Sequence, residues 1–369
     1  MACQTASPSA PWEEFSPVAS AEAGETKLVR AGNLKDGNDR IREVAGLARI
    51  EGVWHLGLMG RRGGVSVVPA EGGSDPPVLV VPTDDRSAVL VPAEPGLPWV
   101  VYRREADVHA WRVGQASPTS LGAPLKPILP LQHHAWVPRQ GGGESPRGLL
   151  GLIAEGESWG TRERTLSVVE TGPTGFEVVP RVVTSYAPVV RDFQLLRSEA
   201  GIAVVWSQRV GEEQFELHVW RDGVDVNEGR TSERVLSLLT ADGRLFVAEL
   251  HGQDGSGVVT VRRIGGGARG LPVDGRTGTG DVALLECGGT VWALVASPGA
   301  ENDRLDLYDL GADRPPINLP GGLSGPDCDS AGPLVVACAG DEAAVADMFA
   351  ARRGHSVRVR TWRWQNAVP

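Results

Sequence analysis

The chain repeats one short pattern seven times, an apolar strand-like run followed by a second one about ten to twenty residues later. The first runs begin at Trp54, Trp99, Leu149, Ala203, Leu245, Val291 and Leu334, and their partners begin at Val65, Val108, Thr165, Phe215, Val258, Leu305 and Val357. Successive first runs lie 45, 50, 54, 42, 46 and 43 residues apart. A period near 47 residues, built from short strands and tight turns, is typical of β-propeller blades. We therefore expect an all-β fold, a seven-bladed β-propeller of four-stranded antiparallel blades.

The repeats fill most of the chain, so residues 26–369 are predicted to form a single propeller domain. Radial repetition lets such a domain exceed the usual domain size. The predicted blades cover residues 44–81, 87–129, 133–184, 191–227, 233–273, 280–319 and 325–364, and the paired runs are their second and third strands. Gly325–Ser330 is the predicted first strand of the last blade, and Val224–Asn227 is the predicted outer strand of the fourth. Gln365–Pro369 are too few for a full outer strand, so Thr26–Arg30 is predicted to complete the last blade. The alternative is a last blade of three strands, with Thr26–Arg30 packed elsewhere.

One segment departs from the strand pattern. Asp341–Arg353 (DEAAVADMFAARR) begins with acidic residues, ends with two arginines and precedes Gly354. That order of charges and the glycine favour a helix. Val345, Met348 and Phe349 would form one apolar stripe along it. We expect a short helical insertion in the last blade, serving either as a lid packed on the propeller or as a docking element for a partner.

Composition excludes several classes of function. The formal net charge is −10 and no block of Lys or Arg offsets it, which disfavours nucleic acid as a partner. No run of 18 apolar residues exists, so no transmembrane segment is expected. His133-His134 are adjacent and would point to opposite faces of a strand, so they do not predict a shared metal. The sequence predicts no metal site and no cofactor.

Residues 1–25 are rich in Ala, Ser, Pro and Glu, and are predicted to be a flexible tether. Within them, Ala2-Cys3-Gln4 resembles the lipidated start of a mature bacterial lipoprotein, with a methionine placed in front. The resemblance implies lipid attachment at Cys3 and a location in the bacterial cell envelope, periplasmic or on the outer surface. The alternative is a cytosolic protein with an incidental cysteine.

The remaining cysteines bear on the redox compartment. Cys328 and Cys338 flank the turn Ser330–Pro333 symmetrically, so paired strands would bring them opposite each other. A disulfide there would imply an oxidising compartment. The alternative is two buried thiols that act as small apolar residues. Cys287, at the end of an apolar strand, is expected to be a core residue.

The last strand carries Arg358, Arg360, Trp362 and Trp364 on one face. Arginine and tryptophan together either seal the last blade against its neighbour or form a partner-docking surface. With Val345, Met348 and Phe349, these residues are the candidate docking site.

Arg304–Leu319 (RLDLYDLGADRPPINL) resembles the outer hairpin of TolB-type propellers, and Phe215–Gly223 and Val108–Gly114 resemble it more faintly. The resemblance supports the architecture rather than an activity. Since the chain has no Gly-x-Ser-x-Gly elbow and no phosphate-binding loop, we expect a non-enzymatic scaffold that binds a protein or glycan partner. The alternative is a carbohydrate-active or related hydrolase with acidic residues at the central channel.

Overall fold

The structure is a computed structural model of the whole chain. The residues it describes are 20–30, 41–60, 64–70, 79–81, 88–91, 97–104, 107–122, 134–138, 148–158, 161–172, 175–176, 181–184, 190–198, 200–221, 223–232, 235–251, 258–271, 282–297, 304–312, 315–319, 334–340, 342–351 and 354–365.

All the regular elements in these ranges are β-strands. In chain order they are β1 (Ser20–Arg30), β2 (Ile41–Ile50), β3 (Val53–Gly60), β4 (Val65–Pro69), β5 (Leu79–Val81), β6 (Ala88–Val91), β7 (Trp99–Arg104), β8 (Asp107–Arg112), β9 (Thr119–Gly122), β10 (His134–Pro138), β11 (Gly148–Ser158), β12 (Thr161–Gly172), β13 (Gly175–Phe176), β14 (Arg181–Thr184), β15 (Val190–Ser198), β16 (Gly201–Arg209), β17 (Phe215–Arg221), β18 (Val224–Thr231), β19 (Val235–Leu239), β20 (Leu245–His251), β21 (Val258–Arg263), β22 (Ala268–Leu271), β23 (Val282–Cys287), β24 (Thr290–Ser297), β25 (Arg304–Asp309), β26 (Ile317–Leu319), β27 (Val335–Ala339), β28 (Glu342–Ala351) and β29 (Gly354–Gln365).

The strands form antiparallel sheets in the manner of a β-propeller, and the all-β propeller fold with four-stranded blades is confirmed. The predicted number of such blades, seven, is wrong, because six sheets have four strands and the remaining sheet has five. In that sheet the long strand β12 pairs with β11 on one side and with two short strands, β13 and β14, on the other. The five-strand sheet arises because one outer strand is divided into two pieces.

Each sheet is named here after its first strand, except the ring-closing sheet, which contains β27, β28, β29 and β1. The first strands contact one another in a closed cycle that runs β2, β6, β10, β15, β19, β23, β27 and back to β2. Buried apolar clusters lie between neighbouring sheets rather than within one sheet. One cluster joins Trp206 and Trp220 of the β15 sheet to Leu166 of the β10 sheet. The core is therefore divided into wedges, as radial packing requires.

Neighbouring sheets approach most closely where a glycine permits it. Gly46 in β2 has φ +155°, and a Cβ built there would lie 2.3 Å from the carbonyl oxygen of Leu90 in β6. Gly57 in β3 packs against the Leu90 side chain from the same direction. Any side chain at Gly46 would push the β2 and β6 sheets apart, since the obstructing atom belongs to the backbone.

The ring-closing sheet combines both ends of the described chain. β1 pairs with β29, with Thr26 opposite Arg360, so Thr26–Arg30 forms the outermost strand of this sheet. The strand begins at Ser20, and residues 20–25 of the predicted tether therefore belong to it. The segment predicted as its first strand, residues 325–330, lies outside the described residues. β27, predicted to be the second strand, takes that place instead, and β28 becomes the second strand. β29 and β1 keep their predicted places as the third and outermost strands.

The predicted helix over Asp341–Arg353 is wrong, because Glu342–Ala351 forms strand β28. β28 is hydrogen bonded to β27 on one side and to β29 on the other. Its alternate residues Ala344, Ala346 and Met348 pack towards the β2 sheet, while Ala343 and Val345 pack towards the β23 sheet. Both faces are buried, so the segment lacks the polar-apolar alternation that marks a half-exposed strand.

Candidate partner-binding surface

Most of the residues predicted to form a docking site lie in the core. Val345 and Trp362 are buried against the β23 sheet, and Met348 is buried against the β2 sheet. Arg358 and Arg360 are also buried. These five side chains are therefore enclosed within the propeller rather than exposed on its surface. For Phe349 and Trp364 only the backbone is described, in β28 and β29 respectively.

Arg358 is held by a buried carboxylate on the neighbouring strand. It lies opposite Asp347 in the β28–β29 register, and its Nε lies 3.0 Å from each Asp347 carboxylate oxygen. Nη2 of Arg358 also donates to Asp347. Arg358 and Asp347 are 3 % and 9 % exposed. Buried charged groups need such pairing and hydrogen bonding, so the pair fixes the arrangement of these two strands.

Glu342 joins the ring-closing sheet to the β2 sheet. Its carboxylate accepts a hydrogen bond from the indole Nε1–H of Trp54 in β3. The other carboxylate oxygen lies 3.3 Å from Nη2 of Arg49 in β2 and 3.1 Å from Nε of Arg363 in β29. Arg49 also donates to the backbone oxygen of Ala339. Because these groups come from both ends of the described chain, the cluster holds the ring closed.

The disulfide prediction is corrected in its pairing. Cys338 in β27 is bonded to Cys287 at the end of β23, with their Cα atoms 5.7 Å apart. Cys328, the predicted partner, lies outside the described residues, as does Cys3, the predicted lipid attachment residue. Cys287 is buried, as expected of a core residue. The bond connects the first strands of two neighbouring sheets, a pairing that local sequence symmetry does not reveal.

The solvent-facing apolar surface of the described residues centres on β18, the outermost strand of the β15 sheet. The large apolar residues exposed there are Val224 and Val226, at 61 % and 46 %, and Val210 is exposed at the opposite end of the same sheet. No residue of β18 is buried. By contrast, the outer strands β5, β9 and β22 each place one apolar residue in the core, Val81, Leu121 and Leu271. β18 is therefore unusual among these outer strands.

Register places the two valines on one face of β18. Val226 lies opposite Val219, and Val224 lies opposite Arg221, whose guanidinium donates to the backbone oxygen of Gly243 in the β19 sheet. Val219 belongs to the apolar cluster shared with the β19 sheet. Cross-strand partners point to the same face of a sheet, so Val224 and Val226 face the outer margin of the crevice beside the β19 sheet.

The opposite face of β18 is polar and acidic. Asp225 lies 3.1 Å from Nδ1 of His218, whose ring stacks on the indole of Trp206. Asn227 donates to Glu216 at 2.7 Å. The side chains of Asp225 and Glu216 are 40 % and 34 % exposed. This face therefore presents two carboxylates to solvent.

The backbone of β18 also has a free edge. β18 pairs with β17 alone among the described strands, and Arg221 and Val224 face each other across a two-residue turn that contains Gly223. A two-residue hairpin closes on a hydrogen-bonded pair, and such pairs alternate along an antiparallel ladder. Val224 and Val226 therefore direct their backbone groups towards β17. Asp225 and Asn227 direct their N–H and C=O groups away from the sheet.

The free edge ends at Glu228. The register shifts between His218 and Glu216, and Gly229 has φ +92°, which marks a β-bulge. The backbone oxygen of Glu228 accepts a hydrogen bond from Arg262 of the β19 sheet at 2.9 Å. We define the β18 edge as Val224–Asn227, the stretch between the turn and this bulge.

Buried carboxylates elsewhere have structural partners. Glu249 pairs with Arg262 at 2.7 Å, Asp306 accepts from Asn318 at 3.2 Å, and Asp309 accepts from the backbone N–H of Gly311 at 2.8 Å. Across the described ranges, no group of three or more His, Cys, Asp or Glu side chains is placed to hold a metal ion. The described part of the chain also contains no helix long and apolar enough to cross a membrane.

Three described side chains have shifted pKa values, and none of them belongs to β18. Hydrogen bonds from Arg244 and Thr240 lower the pKa of Asp242 to about 2, in the turn between β19 and β20. Burial lowers the pKa of His109, which stacks on Tyr102, and burial raises the pKa of Tyr102. In the turn between β19 and β20 that contains Asp242, the backbone N–H of Ala241 donates to Glu286 of the β23 sheet. Asp242 therefore stabilises a turn that is attached to the next sheet.

Comparison with solved structures supports the fold. BBS1N, determined in complex with ARL6DN, is 11 % identical and superposes with a TM-score of 0.58 over 95 % of this chain and 98 % of that one. A puromycin-hydrolysing peptidase of Mycobacterium tuberculosis is 17 % identical, with a TM-score of 0.55 over 84 % of this chain and 49 % of that one. The polysaccharide lyase Uly1 is 8 % identical, with a TM-score of 0.50 over 86 % and 89 %. At these identities the likeness shows a propeller fold alone.

No known protein-family profile matches the chain, and no curated protein sequence matches it either.

Sequence reasoning placed an outer strand at Val224–Asn227 but gave it no functional role. The signal available was a Gly turn followed by Val-Asp-Val, in which alternate apolar residues imply a half-buried strand. Only the structure shows that the apolar face of this strand is exposed to solvent.

Proposed function

We propose that this protein is a non-enzymatic scaffold of the bacterial cell envelope that binds a protein partner through the β15 sheet. The observation that carries the proposal is the exposed apolar face of β18, where Val224 and Val226 are 61 % and 46 % exposed on an outermost strand. Exposed apolar residues grouped on one face commonly mark protein interaction sites. Removing them from water on binding would contribute affinity.

The buried carboxylates support a scaffold rather than a hydrolase. Glu342 and Asp347 hold strands and sheets together through Arg49 and Arg358. Glu249, Asp306 and Asp309 have similar structural contacts. A hydrolytic site needs acidic groups directed at a substrate. The buried acids described here are engaged in holding the propeller.

The disulfide supports an extracytoplasmic location. Bonds such as Cys287–Cys338 form and persist in oxidising compartments and are rare in the bacterial cytosol. Together with the lipoprotein-like Ala2-Cys3-Gln4, this favours a protein anchored at Cys3, with the propeller in the periplasm or on the outer surface. Two or more acyl chains at one cysteine would give stable anchoring.

The binding proposal is tested by site-specific photo-crosslinking in the native host. Benzoylphenylalanine replaces Val226, and the matched control places it at Gln214, an exposed turn residue at the opposite end of the sheet. We expect a protein-sized adduct from position 226 and none from 214. Mass spectrometry then identifies the partner, and the purified partner should bind wild type at least about tenfold more tightly than Val226→Asp. Equal adducts from both positions, or equal binding to both proteins, would reject the proposal.

The location is tested separately with the natural gene, grown with an alkyne-labelled fatty acid. The protein should acquire the label in the membrane fraction, and Cys3→Ser should lose it. Labelling that persists in Cys3→Ser, or wild-type protein found without label in the cytosol, would overturn the anchored location.

A further inference from the structure

We infer that the partner binds the β18 edge by strand addition, as an extended segment in which basic residues alternate with β-branched apolar residues. This inference rests on the proposed function and specifies how the same surface recognises its partner. In strand addition, main-chain hydrogen bonds give affinity and alternate side chains give specificity.

The hydrogen-bonding groups come from two residues of the edge. Asp225 and Asn227 each direct one N–H and one C=O outward, as the pairing of Val224 with Arg221 requires. These groups are exposed along with the rest of Val224–Asn227. An added strand could therefore make up to about four backbone hydrogen bonds before the bulge at Gly229 ends the ladder.

The alternation follows from the two faces of β18. A residue of the added strand on the Val224 and Val226 face would contact exposed apolar side chains. Its neighbour would point to the other face, beside Asp225, and Glu216 adds a second carboxylate there. Opposite charges and β-branched apolar pairs are the favourable cross-strand combinations. The edge therefore fits a basic residue followed by valine, isoleucine or threonine, repeated.

The β18 edge differs from the rest of β18, which begins at Glu228. Proteins protect exposed edges with bulges, charges and covering side chains. β18 has these features from Glu228 onward, where Arg262 bonds the backbone oxygen and Gly229 forms the bulge. The stretch Val224–Asn227 carries the charged Asp225 but also two exposed valines and an open backbone.

The probe for testing this is a fluorescein-labelled peptide, acetyl-Lys-Val-Lys-Val-Lys-Val-amide. The control peptide has the same composition in blocks, Lys-Lys-Lys-Val-Val-Val. Fluorescence anisotropy with the purified full chain should show saturable binding of the alternating peptide, with at least about tenfold weaker binding of the blocked one. Equal affinity for both peptides would mean that charge alone drives binding, and would overturn the inference.

Two variants distinguish the contribution of the Asp225 backbone N–H to binding from that of its carboxylate. Asp225→Ala and Asp225→Pro both remove the carboxylate, but only proline removes the outward N–H. We expect Asp225→Ala to weaken probe binding about threefold, and Asp225→Pro to weaken it by about a further tenfold. Circular dichroism and the melting temperature check that both variants are folded. Equal binding by the two variants would overturn strand addition.

A second measurement leaves the protein unchanged. Two methylated probes, one N-methylated on its lysines and the other on its valines, each lose the peptide donors along one edge of the strand. If a strand is added, the probe methylated on the edge that faces β18 (the lysines for an antiparallel addition, the valines for a parallel one) should no longer bind the wild-type chain. Undiminished binding of both methylated peptides would refute the inference.

A second copy of the chain is the other possible occupant of the β18 edge, and sedimentation experiments detect it. If the wild-type chain dimerises in sedimentation experiments, Asp225→Pro does not, and the probe fails to bind, then a second copy occupies the edge and the peptide inference is wrong. The proposed function can survive that failure. If the photo-crosslink from position 226 persists in Asp225→Pro, protein binding stands and strand addition falls.

Discussion

The ring-closing sheet and the β15 sheet have the same four-stranded antiparallel topology but place their charges differently. In the ring-closing sheet, Asp347, Arg358 and Glu342 are buried and paired with groups on neighbouring strands or on the β2 sheet. In the β15 sheet, the outermost strand presents Asp225 and two valines to solvent. Its outer strand is a local hairpin return, whereas that of the ring-closing sheet comes from the other end of the described chain.

This difference indicates which parts of the molecule tolerate substitutions without losing stability. Closing a ring from two distant chain segments costs loop entropy, and specific buried contacts offset that cost. A hairpin strand at the edge of a sheet needs fewer such contacts, because its turn fixes its register. Substitutions in the ring-closing sheet should therefore alter stability, and substitutions on β18 should alter binding.

The largest effect is expected from Asp347→Ala in the ring-closing sheet. It leaves the buried Arg358 without its carboxylate, so we expect the free energy of unfolding to fall by about 3–5 kcal/mol, measured by urea denaturation. The double variant Asp347→Leu with Arg358→Met replaces the pair with apolar residues and should recover most of that loss. A loss below about 1 kcal/mol for Asp347→Ala would show that the pair does not hold the sheet.

The disulfide should have the next largest effect, since it ties the β23 sheet to the ring-closing sheet. Replacing both Cys287 and Cys338 with alanine should lower the free energy of unfolding by about 2–4 kcal/mol under oxidising conditions. Cys328→Ala serves as the matched control and should leave stability unchanged. If Cys328→Ala costs as much as Cys338→Ala, the pairing is Cys328 with Cys338 after all.

Asp242 provides an intermediate case, since it is exposed like β18 but hydrogen bonded like Asp347. Its folded-state pKa, about 2, lies below the usual value of 3.8, so its stabilising contribution is present above pH 3.8 and is lost as the pH falls towards 2. Asp242→Asn should remove this part of the acid dependence. Because the pair with Arg244 is exposed, the effect should not exceed about 1 kcal/mol. Urea denaturation at both ends of this pH range measures it, and identical acid slopes for the two proteins would contradict it.

The smallest effect on stability is expected on β18. Val224→Thr with Val226→Thr should change the free energy of unfolding by no more than about 0.5 kcal/mol, because both side chains are exposed. The matched control is Val345→Thr in the ring-closing sheet, where a buried hydroxyl should cost about 1–3 kcal/mol. Comparable losses at both sites would show that β18 is covered in the folded protein, and would remove the basis for the proposed binding surface.

The period of the strand pairs correctly predicted the propeller fold, because each repeat is a hairpin whose alternation and turn glycines are local. The same reasoning gave a wrong prediction for the last repeat. Its strand β28 is buried on both faces and rich in alanine, so its pattern matched a helix, and β27 was placed second in the sheet instead of first. The divided outer strand beside β12 was likewise hidden, since nothing local shows that two short segments share one partner.

The candidate site was likewise predicted from the sequence only in part. Sequence alone located a strand at Val224–Asn227 and grouped Arg358, Arg360 and Trp362 on one face of the last strand. Both strands alternate side chains in the expected way, because strand geometry makes alternate residues share a face. Which face meets solvent depended on the neighbouring sheets, which bury the arginines and tryptophan but leave Val224 and Val226 exposed. Cys338 is likewise bonded to Cys287 in a neighbouring sheet, because a disulfide depends on distance in space rather than on symmetry along the chain.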